Sequence, residues 1–334
     1  MAVRDRIDPD ARAALDAFLD LVGPGGLNGI ADIPARREKF TEVLTGLAAT
    51  LPPVEGVESA DRWIAGPPTP AGAPDVPVRI YRPSEGDGAR PGLLFIHGGG
   101  MVVGNLETED LVARILTKDL GCVTVSVDYR LAPEHPDPAP VEDCYAALAW
   151  MAGAAGELGI DPERLAVYGG SAGGGLAAGT ALMARDRGGP ALAFQMLIYP
   201  MIDDRDRTPS VHEFTDIGIW DRDANLEGWR CLLGDRVGGD DVSIYAAPAR
   251  ATDLAGLPPA YIDVGELDLF RDEDIDYAAR LLRAGVPTEL HVFPGAYHAA
   301  ELQAVGSALA NRVLGWRLDA LRRALGVPAP AAVA

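Results

Sequence analysis

A serine set among glycines is the first candidate for chemistry in this sequence, in the segment GGSAG at residues 169–173. An apolar run at 165–168 precedes it and a run of small residues at 174–183 follows it, which predicts a strand, a sharp turn and a helix. At the apex of such a turn, Ser171 would be presented as a nucleophile. The helix N-terminus would then direct free N–H groups toward the negative charge that develops during acyl transfer.

Two other interpretations of this segment are open. A glycine-rich turn with a capping serine has the same composition. Residues 173–178 also fit the dinucleotide-binding pattern G-x-G-x-x-A. That pattern usually opens the first βαβ unit and needs an acid after the next strand, whereas this turn lies mid-chain and the strand predicted at 194–199 ends in Tyr199. The dinucleotide interpretation is therefore disfavoured.

A glycine loop, HGGG at residues 97–100, directly follows an apolar strand predicted at 91–96. Bare backbone there would let N–H groups approach an acyl oxygen. We predict that the amides of Gly99 and Gly100, joined by that of Ala172, form an oxyanion hole. His97 is expected to brace the loop through hydrogen bonds. The alternative, a simple glycine hinge, is disfavoured because both motifs occur in the order that catalysis needs.

Five histidines could supply the general base: His97, His135, His212, His291 and His298. The first lies in the glycine loop, the second in a proline-rich stretch, the third in a polar insertion and the fourth inside a predicted strand. His298 follows the last predicted strand, at 289–293, and completes the chain order serine, acid, histidine. We therefore predict that His298 is the base.

The acid that orients this base should follow the strand predicted at 259–264. Asp268 is the preferred candidate and Glu266 is the alternative, while Asp272 is expected to cap or brace the next helix. Such an acid fixes the histidine tautomer and stabilises the imidazolium that forms during the reaction.

Taken together, these residues resemble the hormone-sensitive-lipase group of α/β-hydrolases, also called bacterial esterase family IV. The resemblance covers roughly residues 60–320. It is carried by HGGG at 97–100, DYRLAPE at 128–134, GGSAGG at 169–174, LD at 267–268, RDE at 271–273 and YH at 297–298. It implies carboxylic ester hydrolysis by Ser171, Asp268 and His298 without a cofactor. It also implies a helical cap and suggests a homodimer through the strand near 289–293.

Two positions depart from that family's pattern. An acid usually stands directly before the serine, where this chain has Gly170, and an aromatic residue usually follows the glycine loop, where it has Met101. Gly170 removes a charge and a potential hydrogen bond beside the site. Met101 brings a flexible thioether to a pocket where a ring is expected. Both departures bear on the substrate profile rather than on the reaction. Plant hormone receptors of similar sequence lack the catalytic histidine, which this chain keeps.

Composition limits the partners and the compartment. The chain has 334 residues, of which 48% are hydrophobic, and a formal net charge of −20, which argues against nucleic acids and anionic membranes. No run of about 18 apolar residues is present and the N-terminus lacks a signal-peptide layout, so no membrane partner is expected. The cysteines Cys122, Cys144 and Cys231 are odd in number and widely spaced, which indicates a reducing, cytoplasmic setting. Without CxxC or HExxH, no metal site is expected.

Alternating strand and helix patterns predict an α/β fold with a mostly parallel sheet flanked by helices. We assign residues 1–55 to N-terminal cap helices, 56–325 to an α/β-hydrolase catalytic domain with a cap insertion around 203–241, and 326–334 to a flexible tail. The first helix is predicted to be amphipathic, with one face formed by Ala13, Ala14, Ala17, Phe18 and Leu21.

The segment 203–241 interrupts the alternating pattern and carries several aromatic residues among many charges. It could be a surface excursion whose aromatic residues pack on the core. As the second half of a cap, it would instead bring Phe214 and Trp220 to the acyl or alcohol pocket, with Met101 and Val102 supplied by the glycine loop.

The sequence thus predicts a serine carboxylesterase that hydrolyses soluble esters of short-to-medium acyl length through an acyl-enzyme. A narrower alternative is a lactone, acetyl-ester or aryl-ester hydrolase, or an acyltransferase, that acts on one metabolite. An alternative from another class is a non-catalytic small-molecule binder on the same fold, in which Ser171 would not react with phosphonate probes.

Overall fold

A computed structural model describes residues 3–68, 72–86 and 88–328. Its centre is a sheet whose eight strands within these residues follow the order β1-β2-β4-β3-β5-β6-β7-β8. The strands β3 to β8 are parallel, whereas β2 is antiparallel to both of its neighbours. The mostly parallel α/β fold is therefore confirmed. The strands are β1 Val57–Ile64, β2 Val76–Pro83, β3 Arg90–Ile96, β4 Val123–Val127, β5 Ile160–Gly170, β6 Phe194–Ile198, β7 Ala260–Gly265 and β8 Thr288–Phe293.

Helices cover the sheet because its central strands are apolar on both faces, as parallel strands between helical layers require. All five residues of β4 and all five of β6 are buried. The helices are α1 Pro9–Val22, α2 Ile33–Ala48, α3 Asp110–Leu120, α4 Ala139–Gly153, α5 Ala155–Leu158, α6 Ala172–Asp186, α7 Pro209–Glu213, α8 Arg222–Leu233, α9 Arg271–Arg283, α10 Ala300–Gln303 and α11 Ala308–Leu325.

Capping side chains define several helix starts. Asp8 accepts hydrogen bonds from the amides of Asp10 and Ala11 at the start of α1, and Asp32 and Asp221 cap α2 and α8 in the same way. The last helix, α11, ends at Leu325 and is capped by Gly326 in the left-handed conformation. Of the tail predicted at 326–334, residues 329–334 lie outside the described residues.

The predicted apolar face of the first helix was wrong in part. The buried residues of α1 are Ala11, Leu15 and Leu19, the predicted Ala14 and Phe18 are partly buried beside them, and the predicted Leu21 is 62% exposed. The three buried residues are spaced four apart and therefore lie on one face of the helix. On the same side, the Tyr297 hydroxyl donates to the Ala11 carbonyl. Strand β1 was not predicted, because almost all of its residues are exposed and no alternation marks it.

Two segments distant in sequence meet above the carboxyl ends of the parallel strands: residues 3–48 and residues 203–241, here called the cover. Arg4 donates to the Ile217 carbonyl at 3.0 Å and Asn28 donates to the Ile219 carbonyl at 2.8 Å. Arg36 forms two hydrogen bonds to Glu227, at 2.5 and 3.1 Å. The segment that contains α1 and α2 is thereby tied to α8 and to the loop between α7 and α8.

None of the helices in the described ranges is both long and apolar enough to cross a membrane. Over the same ranges, no group of three or more His, Cys, Asp or Glu side chains is placed to hold a metal ion. The cysteines are free thiols, with Cys122 and Cys144 buried and Cys231 partly exposed.

Candidate active site

The turn between β5 and α6 holds Ser171 in a backbone conformation that L-residues rarely adopt, with φ +57° and ψ −121°. Two residues that flank this turn, Gly169 and Gly173, must be glycines for steric reasons. A methyl group on Gly169 would overlap the Gly173 carbonyl, and one on Gly173 would overlap the Ile96 carbonyl of β3. The glycines therefore let strand, helix and glycine loop converge on the serine.

A chain of hydrogen bonds joins the three residues predicted to react. His298 Nδ1 lies 2.8 Å from Asp268 Oδ2, and His298 Nε2 lies 3.0 Å from Ser171 Oγ. The loops after β7 and β8 bring the acid and the imidazole to the turn after β5. Ser171, His298 and Asp268 are 8%, 6% and 1% exposed, respectively. With Nδ1 protonated toward the carboxylate, Nε2 can accept the serine proton.

Aromatic rings fix the orientation of the imidazole. Tyr199 and Phe270 both meet the His298 ring edge-on, with centroids 4.7 and 5.3 Å away. Asp268 is held by the amide of Phe270, which donates to Oδ1 at 3.0 Å. The imidazole and the carboxylate are therefore positioned before any substrate arrives.

The alternative acid and the neighbouring Asp272 have other partners. Glu266 binds Arg6 at 2.7 Å and accepts from the Gly295 amide at 3.0 Å. Asp272 accepts from the Ser210 amide at 2.9 Å, and thereby ties α9 to the cover. Of the acids after β7 that sequence reasoning considered, only Asp268 is hydrogen-bonded to the imidazole.

The glycine loop lies beside the serine. A methyl group on Gly98 would lie 3.6 Å from Ser171 Cβ, and both Gly99 and Gly100 have positive φ, +115° and +61°. Among the described residues, the Gly99 and Gly100 amides have no backbone acceptor. Ala172 is the first residue of α6, so its amide has no acceptor within the helix. Within the described residues, these three N–H groups therefore have no backbone acceptor, as donors of the predicted oxyanion hole require.

The predicted pocket residues of the loop are buried beneath it. Met101 is fully buried with φ +63°, and its Cε lies near Gly175 of α6. Val102 is also buried, and its carbonyl accepts from Arg37 Nε at 2.7 Å. Helix α2 of the cover therefore braces the loop directly.

The two aromatic residues predicted from the cover are placed differently. Trp220 lies directly on the glycine loop, because a methyl group on Gly100 would overlap Trp220 Cη2. Phe214 is buried under the guanidinium groups of Arg6 and Arg271, whose Cζ atoms lie 5.9 and 5.0 Å from its ring centroid. Trp220 thus packs on the glycine loop, whereas Phe214 packs within the charged contacts of the cover.

Gly170, one of the two departures from the family pattern, has room for a side chain. A methyl group there would make ordinary contact with Tyr199 Cε2, at 3.6 Å. Gly170 therefore differs from Gly169 and Gly173, whose missing Cβ is a steric requirement.

Sequence reasoning missed a buried ionic network behind the imidazole. Arg317 binds Asp263 at 2.6 and 3.0 Å and Glu301 at 2.7 Å, and the Tyr199 hydroxyl donates to Glu301 at 2.8 Å. Burial, the largest influence, would lower the pKa of Arg317, but the charges of Asp263 and Glu301 raise it well above its usual value. The network ties β7, α10 and α11 together, and no motif marks residues that are so far apart in sequence.

Comparison with known proteins agrees with this geometry. The α/β-hydrolase fold family model matches residues 93–302. Carboxylesterase NlhH of Mycobacterium tuberculosis is 44% identical over 260 residues, which cover 76% of this chain and 80% of that protein. Esterase LipI of the same organism is 43% identical over 233 residues, which cover 69% of this chain and 71% of that protein.

A solved structure of a bacterial heroin esterase superposes with a TM-score of 0.88 and 44% identity, and covers 96% of this chain and 98% of that one. The matched region contains the glycine loop, the serine turn and the acid and histidine loops. The chain therefore belongs to the α/β-hydrolase fold family, in its hormone-sensitive-lipase group.

Proposed function

We propose that this protein is a serine carboxylesterase in which Ser171 is the nucleophile, His298 the general base and Asp268 the acid that orients it. The observation that carries the proposal is the continuous chain of hydrogen bonds from Ser171 Oγ through the imidazole to the Asp268 carboxylate. An activated nucleophile, a base within hydrogen-bond reach and a third group that orients the base are the signature of acyl transfer.

The reaction would proceed in two steps. His298 Nε2 takes the proton of Ser171 as Oγ attacks the ester carbonyl carbon. The resulting oxyanion accepts hydrogen bonds from the N–H groups of Gly99, Gly100 and Ala172. The imidazolium then gives its proton to the leaving alcohol as the C–O bond breaks, which leaves an acyl-serine. A water molecule, deprotonated by His298, attacks that acyl group and releases the acid together with free Ser171.

The relatives support the substrate class. Those described above are named carboxylesterase, esterase and heroin esterase, and another, 37% identical over 227 residues, is named an arylesterase of Saccharolobus solfataricus. All of these names denote carboxylic ester hydrolysis, which is the reaction that the geometry serves. The substrate is thus proposed to be a small-molecule ester.

Trp220 supports a limit on acyl length. Its ring lies on Gly100, and Ser171 and His298 beside that loop are only 8% and 6% exposed. A closed site under an indole ring suits short-to-medium acyl groups. Val102 and Met101 would line this pocket only from beneath the loop.

We also propose that the cover acts as the cap of a catalytic domain formed by residues 56–325, and that it opens to admit substrate. Its contacts with the glycine loop, through Trp220 and Arg37, support that role. The free thiols support a cytoplasmic location, and the unpaired edge of β8 supports a homodimer. Neither a cofactor nor a metal has a part in the proposed mechanism.

The test is hydrolysis of p-nitrophenyl esters from acetate to decanoate by the wild type and by Ser171→Ala. We expect turnover that is fastest at short-to-medium length and falls by about four orders of magnitude or more in the variant. Circular dichroism should show that the variant keeps its fold. Turnover retained by Ser171→Ala would contradict the proposal, and a wild type that neither hydrolyses esters nor reacts with phosphonates would favour the small-molecule binder.

A further inference from the structure

We propose that Glu109 is a positioning residue for the oxyanion hole, which it serves by anchoring the first peptide unit of the glycine loop. This inference rests on the proposed function. Glu109 stands at the start of α3 and is only partly exposed. It belongs to neither the predicted triad nor the predicted oxyanion hole.

The contact is short and close to the serine. Glu109 Oε1 accepts a hydrogen bond from the Gly98 amide at 2.7 Å. A methyl group on Gly98 would lie 3.4 Å from that oxygen and 3.6 Å from Ser171 Cβ. The Glu109 carboxyl oxygen and Ser171 Cβ therefore both border the space that a side chain on Gly98 would occupy.

Both polar atoms of one peptide unit are held by side chains. The unit between His97 and Gly98 has its N–H bound by Glu109, while its carbonyl, the His97 oxygen, accepts from the Tyr129 hydroxyl at 3.0 Å. The Tyr129 ring also stacks on the His97 ring, with centroids 4.2 Å apart. Two side chains from different elements therefore fix the plane of this unit.

The next two peptide units of the loop are held through their carbonyl groups. The Gly98 carbonyl lies 2.8 Å from His97 Nδ1, and the Gly99 carbonyl accepts from the amides of Val102 and Val103. In a trans peptide the N–H points opposite to the carbonyl of the same unit. Holding these carbonyls therefore aims the Gly99 and Gly100 N–H groups away from them, toward the position proposed for the oxyanion.

Glycines cannot hold this arrangement by themselves. They lack the side chains that would restrict their backbone, and an unanchored glycine loop loses order readily. An oxyanion hole acts because its donors are oriented before the reaction, so an anchor outside the loop is needed. The carboxyl suits this role because it can accept from a backbone amide while buried. Burial raises the pKa of Glu109 to about 7, although the Gly98 hydrogen bond opposes the shift.

The test compares Glu109→Ala with Glu109→Gln, using Glu107→Ala as the matched control. Glutamine keeps an acceptor oxygen for the Gly98 amide, whereas alanine does not. Glu107 is exposed on the same segment and pairs with Arg79. We expect kcat for p-nitrophenyl butyrate to fall about 30-fold in Glu109→Ala, with KM changed less than about twofold. This loss is smaller than the roughly 10²- to 10³-fold cost of removing an oxyanion donor, because the donors remain present and lose only their fixed orientation.

A transition-state analogue provides the second readout. A trifluoromethyl ketone forms a hemiketal oxyanion on the serine, so its inhibition constant should rise in Glu109→Ala by about the factor by which kcat/KM falls. Glu109→Gln should recover most of both effects, and Glu107→Ala should match the wild type. Tyr129→Phe removes the hydroxyl that donates to the His97 carbonyl of the same peptide unit, and its kcat should fall as in Glu109→Ala with little change in KM. This variant serves as the test if Glu109→Ala does not fold.

Unchanged kcat in Glu109→Ala, or equal losses in Glu109→Ala and Glu107→Ala, would overturn the inference. A rise in KM alone would overturn it as well, because the effect would then lie in ground-state binding. The proposed function is tested separately, by ester turnover of the wild type and its loss in Ser171→Ala.

Discussion

The loops that carry the reacting groups and the cover above them are held by different forces. Around the serine, Gly169 and Gly173 bring backbone atoms so close that a single methyl group would overlap a carbonyl. In the cover, buried apolar side chains such as Leu15 and Trp229 are supplemented by partly exposed ion pairs. Arg6, for example, binds Glu213 at 2.9 Å and Glu266 at 2.7 Å, with each of these three side chains 30–38% exposed.

This difference indicates that the loops around the serine and the cover have different roles. Close backbone packing fixes atomic positions to within a fraction of an ångström, as oxyanion stabilisation needs. Half-exposed ion pairs contribute little stability and can exchange with water, as a moving cap needs. Mutations near the serine should therefore remove activity outright, while mutations in the cover should change access and selectivity.

The largest effect is expected for Gly173→Ala. Its methyl group would overlap the Ile96 and His97 carbonyls, so β3 and α6 would have to separate. We expect either no soluble protein or kcat/KM reduced by at least about a hundredfold, since displacement by about 1 Å suffices for that loss. Gly170→Ala is the matched control and should keep activity within about threefold, because its methyl group makes only ordinary contact with Tyr199. Similar behaviour of the two variants would contradict the steric account.

The second effect concerns stability. Arg317→Ala would leave Asp263 and Glu301 buried without their cation, and we expect the free energy of unfolding to fall by about 3–5 kcal/mol. Arg323→Ala, in the same helix, removes a side chain that is 51% exposed and should cost about 1 kcal/mol or less. Urea denaturation of both variants measures the difference, and equal losses would show that burial of the network is not what matters.

Selectivity provides the third effect. In Trp220→Ala the ring over Gly100 is removed, and kcat/KM for the octanoate relative to the acetate ester should rise about tenfold or more. Trp63→Ala, which removes a ring that is 70% exposed on β1, should leave the ratio unchanged. An unaltered chain-length profile in Trp220→Ala would remove Trp220 from the proposed pocket.

The smallest effect is expected for Arg6→Ala. Global stability should fall by about 1 kcal/mol or less. Hydrogen exchange should increase in α7 and stay unchanged in β5, and about 0.5 M salt should act in the same direction on the wild type because it screens exposed charges. Arg62→Ala, which removes an exposed pair with Glu157 outside the cover, should leave exchange in α7 as it was. Equal exchange in Arg6→Ala and the wild type would show that packing, not charge, holds the cover.

The sequence was most informative where a backbone constraint dictates residue type. The serine turn and the glycine loop need glycines at fixed spacing, the acid follows the buried strand β7, and the base follows the last predicted strand in the chain order serine, acid, histidine. Ser171, Asp268 and His298 could therefore be predicted to meet. What could not be predicted depends on partners far apart in the chain. The Arg317 network joins a strand to two late helices, and Glu109 acts through a backbone amide that no motif marks.

Strand β1 and the buried face of α1 illustrate a second limit. An edge strand exposed on both faces leaves no periodic signal, and a helix rich in alanine offers several faces of similar hydrophobicity. In both cases the packing partner decides the outcome, and a single sequence does not reveal it.

The most direct test of the central claim is to map the site and rate of covalent labelling by a fluorophosphonate in the wild type and in His298→Ala. The account predicts a single adduct on the peptide that carries Ser171, formed at least about a thousandfold more slowly in the variant. An adduct on another residue, or equal labelling rates in the two proteins, would contradict the assignment of Ser171 and His298 as nucleophile and base.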